Sequence, residues 1–332
     1  MFESPASTRP IVTLDPWSVD YGSAVGFEEE TPDEESSFEV DPFVETDDWS
    51  SGRTPEPIAF PESVAFVDGV QRVEYWARVD DGDVLAEAAF ASVAVGAVVS
   101  RAGQATMTCD YTQRVFGVAG PVAAQPMVVR GGGRELIYEV SRPENPEKTG
   151  QPAVYQAIAV KRRDLEHLTV QKLLATHPLV IADGRIDRPE VTENQLAGIA
   201  KTLHQLYVKG EQRALIARLG AGQRTPIFRI ADSWGSRYSW FLRLPYTRAI
   251  HHSYAGIVRL EVPVASSRAP VEAADMLTHN LPRFASRPEH DPRAPQNLLP
   301  VGALEKRLRH ELGEVSFIRR MIEDSIAKGG AL

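Results

Sequence analysis

Ala65-Phe66-Val67-Asp68-Gly69 and Val180-Ile181-Ala182-Asp183-Gly184 are two short apolar runs that each end in Asp-Gly. A run of this kind reads as a buried strand, and the glycine marks where the backbone turns away. A carboxylate at that point stands at the rim of a sheet, where the ligands of open α/β folds gather. Either motif alone is also ordinary turn chemistry, since Asp and Gly dominate turns. Two such carboxylates, 115 positions apart, can share one divalent metal.

Between them the spacing predicts a long helix from about Pro152 to Thr176. Val154, Ile158, Leu165, Leu168 and Leu173 recur at roughly helical intervals, with Lys161, Arg162, Arg163, Asp164 and Glu166 interleaved. Pro178 stops the helix and the second strand begins at once. Glu166 precedes Asp183 by 17 positions, so about ten helical residues carry it back along the sheet. At about 1.5 Å per residue that is about 15 Å, close to the length of a five-residue strand. A helix carboxylate can therefore meet a strand-end carboxylate, although by periodicity alone Glu166 also reads as a solvated acid in a run of charges.

Strand-Asp-Gly, helix with Arg-x-x-Glu, strand-Asp-Gly resembles the NurA family of DNA-end-processing nucleases. Phe66-Val67-Asp68-Gly69-Val70-Gln71-Arg72 is similar to the family's first metal motif, and Arg163-Asp164-Leu165-Glu166 to its helix motif. Ala182-Asp183-Gly184-Arg185 is similar to its second aspartate, and Gly198-Ile199-Ala200-Lys201-Thr202 to a Gly-x-x-Lys helix that follows. Ala294-Pro295-Gln296-Asn297-Leu298-Leu299-Pro300, with Leu304-Glu305 and Leu308-Arg309, resembles the closing segment of bacterial members. Val40-Asp41-Pro42-Phe43-Val44-Glu45 and Trp49 resemble the N-terminal extension. One departure stands out. Archaeal members close the site with a Tyr and a His in the last segment, whereas here Gln296 and Asn297 stand near that place and His290 lies upstream. An Asn amide can contact a metal or phosphate but cannot act as a general base near neutral pH.

The resemblance implies an RNase H-like mixed α/β sheet flanked by helices, with an acidic N-terminal extension and a C-terminal helix. It implies a metal-dependent DNA nuclease, exonuclease or single-strand endonuclease, working as a homodimer with a hexameric HerA-type ATPase in double-strand break repair. Asp68, Glu166 and Asp183 are then the catalytic and metal residues, binding two Mn²⁺ or Mg²⁺ ions, because three crowded carboxylates make sense only around cations and oxygen ligands favour these metals over zinc. Arg72, Arg185, Lys201 and Asn297 are the expected DNA contacts. The competing readings are a catalytically weak DNA-end clamp or translocase adaptor, and an RNase H-like phosphodiesterase acting on RNA.

Composition points to a cytoplasmic globular protein. Cys109 is the single cysteine among 332 residues, which excludes an internal disulfide and a Cys-based zinc site. No basic-then-apolar leader is visible at the N-terminus, and the longest apolar stretch, Ala91 to Val99, is far short of the about 20 residues of a membrane span. The net charge of −9 conceals a division: residues 1–58 hold 15 acids and two bases, whereas the remainder carries 34 bases and 30 acids. Domain 1–58 is thus read as an acidic, partly ordered extension and 59–332 as a mildly basic nuclease body.

Strands are expected at Arg72–Val79, Val84–Val99 and Thr106–Val118, then a hairpin joining Met127–Arg130 to Arg134–Val140 through Gly131-Gly132-Gly133. Thr192 with Gln195 reads as a capping box opening a helix with Leu196, Ile199, Leu203 and Leu206 on one face. Strands return at Pro226–Ile230, Tyr238–Leu244 and Gly256–Val262, and one tail helix is expected from about Val301 to Ala327. No Walker motif, dinucleotide loop or zinc spacing appears. His251-His252 reads as loop, because adjacent strand residues point to opposite faces.

Overall fold

The computed structural model describes residues 38–80, 84–186, 195–203 and 205–328. Its centre is an antiparallel meander of three long strands, β2 (Ser63–Asp80), β3 (Leu85–Arg101) and β4 (Gln104–Val118). The β3–β4 turn is tight because Ala102 and Gly103 both take positive φ, 49° and 78°, the twist a two-residue hairpin favours. After the hairpin of β5 (Met127–Gly131) and β6 (Arg134–Ser141), helix α1 (Gly150–Leu174) crosses to β7 (Leu179–Asp183). That strand pairs parallel with β2, and β8 (Gln195–Ala200) pairs parallel with β7. The order β4-β3-β2-β7-β8, with a helical crossover into the parallel strands, is the RNase H-like arrangement.

The sheet extends beyond β8 through β11 (Ile257–Pro263), β10 (Gly235–Arg243) and β9 (Phe228–Asp232), with β1 (Glu39–Asp41) at the far edge, eleven strands among the described residues. Side-chain alternation gives it two distinct faces. Ala65 and Val67 of β2 pack on Val154, Ile158, Leu165 and Leu174 of α1. Val64, Phe66 and Val70 point the other way, onto α3 (Pro270–Asn280) and α4 (Leu299–Glu311). In α4 and its cap, Val301, Leu304, Leu308 and Leu312 are buried, each contributing about 1.5–3 kcal/mol of transfer free energy before ordering entropy. Among the described residues, no helix is long and apolar enough to cross a membrane.

Several sequence expectations change. The first Asp-Gly is not a turn, since β2 runs straight through it, with Asp68 opposite Gly96 and Gly69 opposite Val95 on β3. Gly69 is needed for room: a Cβ there would lie 2.5 Å from Glu166 Oε1. What ends at Asp68 is the parallel pairing, whose last register is Val67↔Ala182. The segment read as a helix through Leu196 and Ile199 is strand β8, buried on both faces, so its apolar residues carry no two-residue alternation to betray it. Thr192 lies outside the described residues. The tail is two helices, α4 and α5 (Val315–Ala327), broken where Gly313 takes φ 81° and Glu314 caps α5 by accepting from Ser316 and Phe317 N–H. Helix α2 (Gly210–Arg218) and α3 were not expected.

Residues 38–58 pack on the body. β1 adds to β9, Trp49 is buried against Leu215, Ile216 and Phe228, and Glu45 accepts both terminal nitrogens of the buried Arg224 at 2.7 and 2.9 Å. Residues 1–37, which carry nine of the 15 acids of the extension, lie outside the described residues.

Candidate metal centre

The β2–β7 register brings two acids together. One residue beyond Val67↔Ala182, Asp68 and Asp183 stand side by side, both on the face that α4 covers. Glu305 of α4 reaches the same point, and one carboxylate oxygen from each of Asp68, Asp183 and Glu305 lies within 4.8 Å of the others. Opposite oxygens on one octahedral Mg²⁺ are about 4.2 Å apart, so the three can serve one ion with little closure.

The electrostatics of the cluster are those of a site that could hold a cation. Asp68 is only 5% exposed. Its Oδ1 accepts the Gly69 N–H at 2.8 Å, but its buried Oδ2 has no hydrogen-bond partner. Burial, then the charges of Asp183, Glu305 and Glu166, push its carboxyl well above the usual range, with Lys201 offsetting part of this. An orphaned carboxylate oxygen among like charges costs free energy that a metal ion removes. The donor set is oxygen only, which suits Mg²⁺ or Mn²⁺.

Around the triad stands a ring of partners. Lys201, just past the end of β8, places its ammonium 2.5 Å from Asp183 Oδ2 and 3.8 Å from Glu305 Oε1, and donates to Asn297 Oδ1 at 2.8 Å. Burial alone would lower the Lys201 pKa, but Asp183, Asp68 and Glu305 together raise it above the usual lysine value. Asn297 Nδ2 donates to Asp291 Oδ2 at 2.7 Å, and Arg293 pairs with Glu305. Gly302 on α4 lets that helix close over this pair, since a Cβ there would meet Asp291 Oδ2 at 2.8 Å and Asn297 Nδ2 at 3.1 Å. Behind Asp183, the buried Glu261 accepts the Ile186 N–H at 3.0 Å and fixes the chain leaving β7.

The residues expected from sequence fall into three places. Asp68 and Asp183 are in the triad. Glu166 comes from α1 on the opposite face of the sheet, through the gap left by Gly69; it pairs with Arg162 and lines the cleft beside Asp183. Arg185 lines the same cleft, its guanidinium 4.9 Å above the Trp234 ring. Lys201 and Asn297 lie inside the centre, bonded to each other. Arg72 lies about 13 Å further along β2, where it donates to the carbonyls of Gly313 at 3.0 Å and Leu312 at 3.3 Å.

Glu305 had no assigned role in the sequence reading. The signal was present: counted from Val301, it sits at i+4 and three residues before Leu308, an acid on the inward stripe of its helix.

No family model matches the chain and no curated protein matches it. Among solved structures, the NurA nuclease from Sulfolobus solfataricus aligns at TM-score 0.43 and 8% identity, over 82% of this chain and 86% of that one. Endonuclease V from Bacillus subtilis aligns at TM-score 0.32 and 12% identity, over 80% of this chain and 85% of that one. Likenesses this loose assign no family.

Proposed function

We propose that this chain is a metal-dependent nuclease that hydrolyses phosphodiester bonds of DNA, with Asp68, Asp183 and Glu305 holding Mn²⁺ or Mg²⁺ and Glu166 completing the wall. The observation that carries the reading is the convergence of three carboxylates on a point where the buried Asp68 Oδ2 has no partner. A bound divalent ion supplies an activated water and an electrophile for the phosphate. The chain's own groups do the rest. Lys201, Arg162 and Arg293 keep the surrounding acids from repelling one another, and the β2–β7 register holds the two aspartates at a fixed spacing. Arg185 and Arg163 border the cleft where a backbone phosphate would approach. Such contacts carry no sequence information, so cleavage is sequence-independent in this reading.

DNA ends as substrate, a second copy of the chain and a HerA-type hexameric ATPase as partners, and a role in break repair enter this proposal from the sequence resemblance alone. The test is labelled single- and double-stranded DNA and RNA, incubated with Mn²⁺, Mg²⁺ or EDTA. Cleavage of DNA with metal is expected, absent in EDTA and lowered about a thousandfold or more by Asp68→Asn, the scale of losing one member of a cooperating catalytic set. No cleavage under any metal, alone or with a translocase, would favour the clamp. Preferential cutting of RNA would redirect the substrate.

A further inference from the structure

We propose that Tyr246 and Arg287 form a stacking platform for an unpaired nucleobase, holding a single strand of nucleic acid at the rim of the metal centre. The inference rests on the nuclease reading above and names where its substrate lies.

Position comes first. Asp183, Ile199, Leu260 and Trp240 share one register row across β7, β8, β11 and β10. The β10–β11 loop, residues 244–256, therefore leaves the sheet at the same edge as Asp183 and Lys201. It lies about 14 Å across from β7, three inter-strand steps of about 4.8 Å. Two contacts tie this loop to the centre. A Cβ on Gly256 would lie 2.6 Å from Thr247 Cγ2 and 3.3 Å from Pro295 Cγ, and Pro295 stands two residues before the Asn297 that accepts from Lys201. From the other side, the Ser286 N–H donates to the Asn297 carbonyl at 3.3 Å. The next residue, Arg287, lays its guanidinium 4.9 Å from the centre of the Tyr246 ring.

The loop is braced at its base and open at its tip. The buried Arg243 donates to the carbonyls of Ala217, Leu219, Ser253 and Ala255, and the Leu244 N–H donates to the Gly256 carbonyl at 2.8 Å. Beyond this base Tyr246 is 44% exposed and takes φ 72°, a left-handed conformation that bulky residues rarely adopt. Little burial offsets that strain, and outliers of this kind gather where ligands are held.

The occupant follows from the chemistry. An aromatic ring and a planar guanidinium both stack on the face of a base, whatever its sequence, because every base has a π-face. In a duplex those faces are covered by neighbouring pairs, so the platform meets only an unpaired base. Charge agrees. Residues 244–256 include Arg248 and no acid, and the exposed Arg248 and Arg287 outnumber the exposed Glu289 beside them. Phosphates flanking the stacked base then meet guanidinium groups.

The test is binding of the full chain to labelled oligothymidylate, to an abasic strand of the same length and to a blunt duplex, in EDTA so that nothing is cut. Wild type is expected to bind oligothymidylate about tenfold tighter than the abasic strand, within the span of one stacked base. Tyr246→Ala should remove that advantage and leave the abasic strand and the duplex unaffected, whereas Tyr246→Phe should keep it. Arg287→Ala should weaken both single strands and lower the salt slope by about 0.7, one phosphate contact. Equal wild-type affinity for the two single strands, or a Tyr246→Ala loss shared by the abasic strand, would overturn the inference and leave the nuclease reading intact. No binding to any of the three would also overturn it. Base-dependent binding by a chain that cuts no DNA with Mn²⁺ would overturn the nuclease reading and leave the platform standing. If Tyr246→Ala does not fold, the wild-type comparison decides.

Discussion

Two buried acids on one strand meet opposite surroundings. Asp68 and Glu74 both lie on β2, are 5% and 2% exposed, and each has one oxygen without a hydrogen-bond partner. Both carboxyls are raised by burial. Around Glu74 the neighbours are Arg72, Arg114 and Ser92. Arg72, Ser92, Arg114 and Tyr138 occupy one register row across β2, β3, β4 and β6. The two arginines also donate to the Leu312 and Gly313 carbonyls, closing the C-terminal end of α4. Around Asp68 the neighbours are Asp183, Glu305 and Glu166, three acids against the one cation Lys201. An acid among cations holds a fold together, whereas an acid in a cluster where acids outnumber cations could hold a cation from outside. The two clusters are linked through α4, which carries Glu305 and is tied at its end by the Glu74 network.

The sharpest way to break this comparison is to neutralise each acid in metal-free protein. Glu74→Ala strands two arginines and should cost about 3 kcal/mol. That is the lower edge of the range for breaking a buried pair, because both arginines keep some water. Asp68→Asn removes repulsion and should leave the melting temperature unchanged or raise it. Equal destabilisation in denaturant titrations would erase the distinction.

A smaller effect comes from pH. Burial raises the Glu74 pKa despite Ser92, Arg72 and Arg114, so the folded state holds its proton more tightly than the unfolded chain. The stability this group contributes is therefore fully present below the usual carboxylate value of 4.5 and falls as pH rises through the window just above it. Glu74→Gln should flatten that part of the stability profile, and an unchanged profile would mean that the group is solvated.

The smallest effects concern DNA affinity. Arg72→Ala should leave the salt dependence of DNA binding unchanged, since its guanidinium is bonded to backbone carbonyls and Glu74. Arg185→Ala should reduce the slope by about 0.9 if it meets one phosphate. The reverse result would restore Arg72 as the DNA contact first read from the sequence.

What the sequence made legible follows from geometry. Asp68 and Asp183 were visible because each closes an apolar run, although only β7 ends at its acid and β2 continues past Asp68. The long helix and the strand pairs from β3 to β6 were visible through their alternation and turns. Strand β8 was not, because a central strand covered on both faces loses its period, and Leu196 and Ile199 then mimic a helical stripe. Gly198 held the corrective signal, since a Cβ there would come within 2.8 Å of the Gly184 carbonyl. Glu305 was missed because a glutamate between Leu304 and Lys306 reads as solvated until α4 is docked on β2. Gly69 was read as a turn former, whereas its lack of a side chain admits Glu166 from the other face.

The central claim, that Asp68, Asp183 and Glu305 form one metal centre, is tested most directly by the thermal stability of wild type, Asp68→Asn and Glu305→Gln with and without Mn²⁺. At a hundred times its dissociation constant a ligand adds about 2.7 kcal/mol, here a rise of about 3–5 °C in melting temperature. That rise is expected in wild type, with reversal by EDTA and loss in both variants. A full rise in Glu305→Gln would contradict the triad, and a full rise in both variants would place the metal elsewhere.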